Sequence, residues 1–184
     1  SQSAGVLPVK MQELGAAFIA MPGHKGLQGP QGTGLLLCNH PVKTLLEGGT
    51  GSVSKSLEMP EFLPDRLEAG THNVPGAAGL LAGMRHVRRV GIGSIRAQEQ
   101  QAKDRLAAQL KQIPGLRLYV GKQQTGVLSF VPQDADCVVL AEALGKRGIA
   151  VRAGLHCAPL AHETAGTLET GTLRASVSAF TTPR

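Results

Sequence analysis

Met21-Pro22-Gly23-His24-Lys25-Gly26-Leu27-Gln28-Gly29-Pro30-Gln31-Gly32-Thr33-Gly34 sets the reading of the whole 184-residue chain. One histidine and one lysine stand side by side among glycines at 23, 26, 29, 32 and 34. Short apolar runs flank them, Ala16 to Met21 before and Leu35 to Cys38 after. Runs of that length, ended by glycines, suit buried strands. The stretch predicts strand, irregular glycine-rich turn, strand, with Lys25 held at the turn. A lysine there is either a solvated charge or a working amine. Glycines let the backbone approach a ligand closely. Apolar neighbours strip water from an amine and favour Schiff-base chemistry. A phosphate-binding loop is disfavoured, because no Ser or Thr follows Lys25 and no GxxxxGK spacing precedes it.

Composition narrows the classes. At 184 residues and 42% hydrophobic content the chain can bury one good core and a small second unit. Charged residues make up 17%, which argues against disorder. With no Trp and one Tyr, the aromatic platforms that single-stranded nucleic acids stack on are missing. The net charge of +6 is densest at Arg85-His86-Val87-Arg88-Arg89, read as a solvated helix face rather than a DNA footprint. The excess also attracts small anions. Three cysteines, Cys38, Cys137 and Cys157, are an odd number without CxxC spacing. That disfavours a disulfide framework or a zinc site and fits a reducing, cytoplasmic setting. No apolar run approaches the roughly 20 residues of a membrane span, and no signal peptide is seen. The chain starts at Ser1-Gln2 without an initiator Met, so a fragment of a longer protein is expected.

Along the chain, Val6 to Val9 reads as a short strand or turn and Met11 to Leu14 as a helical turn. After the Lys25 unit, Pro41 to Leu46 reads as a short helix with Pro at its start. Gly48-Gly49-Thr50-Gly51-Ser52 is a second glycine-rich loop, and residues 53–70 are an extended loop. A helix begins at Val74, with Ala77, Leu80, Leu81, Met84 and Val87 on one face. Ile92-Gly93-Ser94 interrupts it, and Ser94 is a candidate cap for a new helix reaching about Gln112. Ile95, Ala102, Leu106, Leu110 and Ile113 form the apolar face of that helix, and Pro114-Gly115 stops it. The domain boundary is placed in this helix. Beyond it, Leu116 to Val120 and Val127 to Val131 read as strands. A helix capped by Asp134 or Asp136 runs through Leu144. Ile149 to Arg152 reads as a strand, Cys157 to Thr164 as a helical turn, and Thr172 to Phe180 as a last strand.

Five motifs occur in order: Pro22-Gly23-His24-Lys25-Gly26, Gly48-Gly49-Thr50-Gly51-Ser52, Glu68-Ala69-Gly70-Thr71-His72-Asn73, Arg152-Ala153-Gly154-Leu155-His156-Cys157-Ala158 and Leu173-Arg174-Ala175-Ser176. Together they resemble the class V aminotransferase family, fold type I of the pyridoxal-phosphate enzymes. Within it they look most like cysteine desulfurases with a short cysteine loop. The resemblance implies an α/β chain: a partial three-layer large domain over residues 1–92, a linking helix over 93–113 and a small C-terminal α/β domain over 114–184. It implies the cofactor pyridoxal 5'-phosphate, an amino-acid substrate, a homodimer and a sulfur-acceptor protein.

Position by position, the resemblance implies that Lys25 holds the cofactor aldehyde and moves the Cα proton, with His24 against the cofactor and Gln2 on its ring hydroxyl. The Asp that commonly precedes this Gln in the family falls before Ser1. Thr71 resembles the threonine that reaches the partner subunit's cofactor phosphate. Read locally, it is a cap or turn hydroxyl at the start of the following helix. Gly48 to Ser52 is either part of the same interface or a flexible loop.

Cys157 resembles the nucleophile that takes sulfur from cysteine and leaves alanine. Its strand-end position, a following helix start and nearby Arg152 favour thiolate. Cys38 and Cys137 read as structural cysteines, since Cys is among the most buried residue types. Arg174 resembles the arginine that grips the substrate carboxylate, a task suited to its planar fork. Arg152 is a second candidate there, and His156 a candidate for proton transfer. Pro22 departs from the Ser or Thr of many relatives, and Leu155 from a second His. Selenocysteine lyase, aminotransferase or epimerase chemistry therefore stays open, as does a non-catalytic dimerisation piece.

Overall fold

A computed structural model describes residues 2–182. The chain divides into two compact units, Ser1–Ile92 and Gly93–Arg184.

In the first unit, β1 (Phe18–Pro22) and β2 (Gly34–Cys38) pair antiparallel, from Phe18↔Cys38 to Pro22↔Gly34. The predicted strand–turn–strand is therefore present, but the strands are not buried as expected: Phe18, Leu36 and Leu37 are exposed. Pro22, which cannot donate a ladder bond, sits at the strand's end. Just past it the Gly23 N–H donates to the Thr33 carbonyl at 2.7 Å. Helix α1 (Val74–Val90) follows, buried along Gly76, Leu80, Gly83 and Val87. Leu80 joins Ala4 and Leu27 in a small core, with Met21, Leu35 and Met84 around it. Arg88 and Arg89 lie in the last turn of α1, where cations complement the helix dipole.

Several expectations for this unit need correction. Of the two readings for Val6 to Val9, the turn holds at its start and the strand does not: the Ser3 carbonyl accepts from the Val6 and Leu7 N–H groups. Pro41 to Leu46 forms no helix. Leu45 is 94% exposed, so the segment buries no apolar face, and a helix that short is marginal without one. The helix after Val74 is capped by Asn73 and not by Thr71: the Asn73 side chain accepts from the Gly76 N–H at 3.0 Å.

In the second unit, α2 (Ile92–Leu110) starts directly after Gly91, which has φ 86. Ser94 lies inside this helix and does not cap it. The buried stripe is Ile95, Glu99, Lys103 and Ala107, whereas Ile113 is exposed. The sequence shows the apolar neighbours of that stripe, but its centre holds two charged residues that periodicity passes over. Strands β3 (Leu116–Tyr119), β4 (Val127–Pro132), β5 (Arg152–Gly154) and β6 (Thr172–Ser176) form one antiparallel sheet in the order β3-β4-β6-β5. β5 thus begins at Arg152, where the predicted strand ended. Helix α3 (Cys137–Gly145) is capped by Asp136, which accepts from Val138 and Val139. Phe130, Cys137 and Leu173 form the core, with Leu110 and Leu140 packed against it. Each such side chain contributes roughly 1.5–3 kcal/mol. Leu173 and Ala175 alternate with Thr172 and Arg174 along β6, so Thr172 and Arg174 lie on the opposite face from that core. Helix α4 (Pro159–Ala165) follows β5. No helix among the described residues is long and apolar enough to cross a membrane.

Candidate active site

Of the residues expected at the site, Lys25, His24, Gln2 and Thr71 lie in the first unit. Lys25 and His24 are exposed at the tip between β1 and β2. Of the glycines around them, 23, 26, 29 and 34 meet protein, whereas Gly32 faces open space. A Cβ at Gly26 would collide with the Ala4 carbonyl, and one at Gly23 with the Thr33 hydroxyl. The turn is thus pressed at Gly26 onto Ala4 and Gly5, while His24, Lys25 and the preceding Gln2 are exposed. The desolvation expected for the amine is not supplied by this unit, since Lys25 stays exposed. Lys25 opens on a cavity of about 970 Å³ lined by Met21, Leu35, Cys38, Leu67 and Glu68 among others. Cys38 is therefore half-buried at a cavity wall, not enclosed in a core.

Thr71 lines a smaller cavity of about 500 Å³ that shares Pro64 and Glu68 with the Lys25 cavity. Thr50, Gly51 and Ser52 line the same space. The two loops are tied together by the Gly70 N–H donating to the Gly49 carbonyl at 3.3 Å. Thr71 is exposed, and with the cap role taken by Asn73 its hydroxyl serves no helix end. Glu68 and His72 bracket it at a separation of 3.4 Å.

The other expected residues, Cys157, His156, Arg152 and Arg174, lie in the second unit. Cys157 is exposed and Cys137 buried. Burial pushes the Cys137 thiol up, with Asp136 adding and the Leu173 backbone opposing, so it is an inert core cysteine. Cys157 is not a helical residue: it has φ 60, beside His156 at φ 53, and α4 starts two residues later. Two adjacent non-glycine residues in the left-handed region cost about 1 kcal/mol or more each, and such strain concentrates at functional sites.

His156 Nε2 lies 3.1 Å from the Thr172 carbonyl. A carbonyl can only accept, so Nε2 carries the hydrogen and Nδ1 the lone pair. Nδ1 is buried without a partner. Burial lowers the His156 pKa, opposed by the bond to Thr172 and aided by the charges of Arg174, His162 and Arg152. The ring is therefore neutral. Arg152 and Arg174 are paired residues across β5 and β6. The Nε of Arg174 is buried with no partner, an unspent donor on a half-buried guanidinium. The second unit thus gathers Cys157, His156, Arg152 and Arg174 around the β5–β6 end. Lys25, His24, Gln2 and Thr71 belong to the first.

The family model for class V aminotransferases matches residues 1–184. The chain belongs to the class V aminotransferase family. Among family relatives, a Methanothermobacter thermautotrophicus protein named "Probable cysteine desulfurase" is 38% identical over 99% of this chain and 48% of its own length. A cysteine desulfurase of Synechococcus elongatus is 36% identical over 86% of this chain and 26% of its own. The apo structure of a Thermococcus onnurineus cysteine desulfurase matches with a TM-score of 0.87 at 34% identity, over 99% of this chain and 47% of that one. The chain spans about half the length of the curated relatives it matches, or less.

Two residues escaped the sequence reading: His162, buried with its ring beside that of His156, and Thr167, buried against His162. The only signal for them was a second histidine six residues after His156.

Proposed function

We propose that this chain is the lysine- and cysteine-bearing part of a pyridoxal-phosphate cysteine desulfurase that acts as a homodimer. Residues 1–92 are the C-terminal part of the cofactor-binding domain, 93–113 the linking helix and 114–184 the small domain. Carrying the reading is the exposed Cys157, held in a left-handed turn directly after His156, the ring that senses the Arg174 charge. Family membership and the desulfurase relatives support it.

The residues present fit the cofactor. Lys25 is an amine lining a cavity, and its turn contacts Ala4 and Gly5, shortly after Gln2 in the chain. Lys25, His24 and Gln2 would hold it, with Thr71 reaching the partner subunit's phosphate. Pyridoxal phosphate supplies an aldehyde for amines and a ring that accepts the electrons of a substrate Cα–H bond. The rest falls to the protein. Arg174, with Arg152 opposite, binds the substrate carboxylate, a bond that strengthens where water is excluded. Lys25 carries the Cα proton. The Cys157 thiolate attacks the substrate sulfur and an S–S bond forms. The C–S bond breaks with its electron pair left on carbon, which takes up a proton and departs as alanine. Cys157 is left as a persulfide for an acceptor protein. His156 is neutral and its Nδ1 lone pair is free, which suits it to proton handling near the thiol.

Borohydride reduction of the cofactor-loaded full-length protein should attach the pyridoxyl group to Lys25 on peptide mapping. A label on another lysine contradicts the assignment.

A further inference from the structure

Nothing in that chemistry uses His162 or Thr167, although both are buried, at 7% and 4% exposure. Buried polar side chains are costly unless bonded. These two satisfy each other: His162 Nδ1 lies 2.8 Å from Thr167 Oγ1. Thr167 is fixed in turn, since its N–H donates to the His162 carbonyl at 2.8 Å and its hydroxyl reaches the same carbonyl at 3.4 Å. The His162 ring stands 5.9 Å from the His156 ring, centroid to centroid, tilted by 50°. That is within the range of packed rings. His156 is tied through Nε2 to β6. Its ring is thus bonded to a strand and packed against a helix side chain, and its own backbone and that of Cys157 are left-handed. Strained backbone persists only where the surroundings over-determine it.

We infer that His162, locked by Thr167, is a positioning residue that acts through the His156 ring to hold Cys157 in its left-handed turn. The inference rests on the reading of Cys157 as the sulfur-accepting thiol. His162 touches no reacting atom; it fixes the ring whose residue precedes the thiol. The charged and titratable groups around that ring are Arg152 on β5, Arg174 on β6 and His162 itself on α4.

The test uses the cofactor-loaded full-length protein and its Thr167→Val and Thr167→Ser variants. Two quantities are followed: steady-state alanine formation, and the pH profile of iodoacetamide alkylation mapped to Cys157 by mass spectrometry. Thr167→Val should lower kcat about tenfold at nearly unchanged KM, the scale of a displaced reacting group. It should also move the midpoint of the alkylation profile by about half a pH unit. Thr167→Ser, which keeps the hydroxyl, should restore both. A Thr167→Val protein that melts earlier but keeps the wild-type kcat and alkylation profile overturns the inference. If that variant does not fold, imidazole ¹⁵N spectra of the unaltered protein decide. They should show His156 fixed with hydrogen on Nε2, and a ring averaging between tautomers overturns the proposal. Alkylation reads the thiol whatever the substrate. A shifted profile in a protein that makes no alanine from cysteine therefore supports the positioning role while sinking the desulfurase reading.

Discussion

Cys157 and Cys137 show how one residue type takes two fates. Cys137 is pinned in the core at 2% exposure and its thiol is pushed up by burial. Cys157 is turned outward by a backbone that only its surroundings can hold. Cys157→Ala should therefore cut alanine formation on the order of 10³-fold or more, while the absorbance of bound cofactor persists. Cys137→Ala should cost stability and leave turnover largely intact. An alanine assay beside an absorption spectrum separates the two. His156 adds a pH dependence. In the unfolded chain its ring takes a proton near the ordinary value of 6.5, while in the fold burial first, then Arg174, His162 and Arg152, resist it. As pH falls through 6.5 the unfolded state binds more protons than the native one, so stability is lost, until the folded ring is protonated as well. Urea titrations of wild type should show this loss below about pH 6.5, and His156→Gln should show less of it.

At the scale of elements, the hairpin around Lys25, the existence of helix α1, strands β3 and β4 and a capping aspartate before α3 were legible, because local period and turn chemistry mark them. Failures came where an element lacks a face to bury, as at Pro41 to Leu46, or where a charged residue is buried. Glu99 is the clearest case. It sits in the buried stripe of α2 and accepts from the Gly126 N–H at 3.3 Å, and Gly126 in turn accepts from Val177 just past β6. Desolvation raises its pKa above 4.5 against that bond. The native state then binds more protons than the unfolded one as pH rises from 4.5, and stability falls through that window. Glu99→Gln keeps an acceptor for Gly126 and removes the buried charge. It should therefore stabilise the protein at neutral pH by about 1 kcal/mol, read as a raised denaturation midpoint. The missed cap makes the converse point. Asn73→Ala should cost about 1 kcal/mol, since it strips an acceptor from the start of α1.

At the scale of the molecule, the motifs were legible because their residue types and order are local facts. What gathers around Cys157 was not, since the His162–Thr167 bond and the β5–β6 pairing of Arg152 with Arg174 exist only after folding. Dimerisation is tested through Thr71, exposed on a cavity that adjoins the Lys25 cavity at Pro64 and Glu68. If it serves the partner's cofactor, Thr71→Ala should weaken cofactor binding about tenfold, the worth of one bond to a charged group. Mixing Thr71→Ala subunits with Lys25→Ala subunits should then regenerate one unaltered site per hybrid dimer and restore tight binding; a hybrid no better than its parents removes Thr71 from the interface role. The account as a whole turns on where sulfur goes. Cofactor-loaded full-length protein should be given cysteine, quenched under alkylating conditions and mapped by mass spectrometry. The account predicts one extra sulfur on the Cys157 peptide, absent when Lys25 is replaced by Ala. Alanine formed at the normal rate with no sulfur on Cys157 would contradict it.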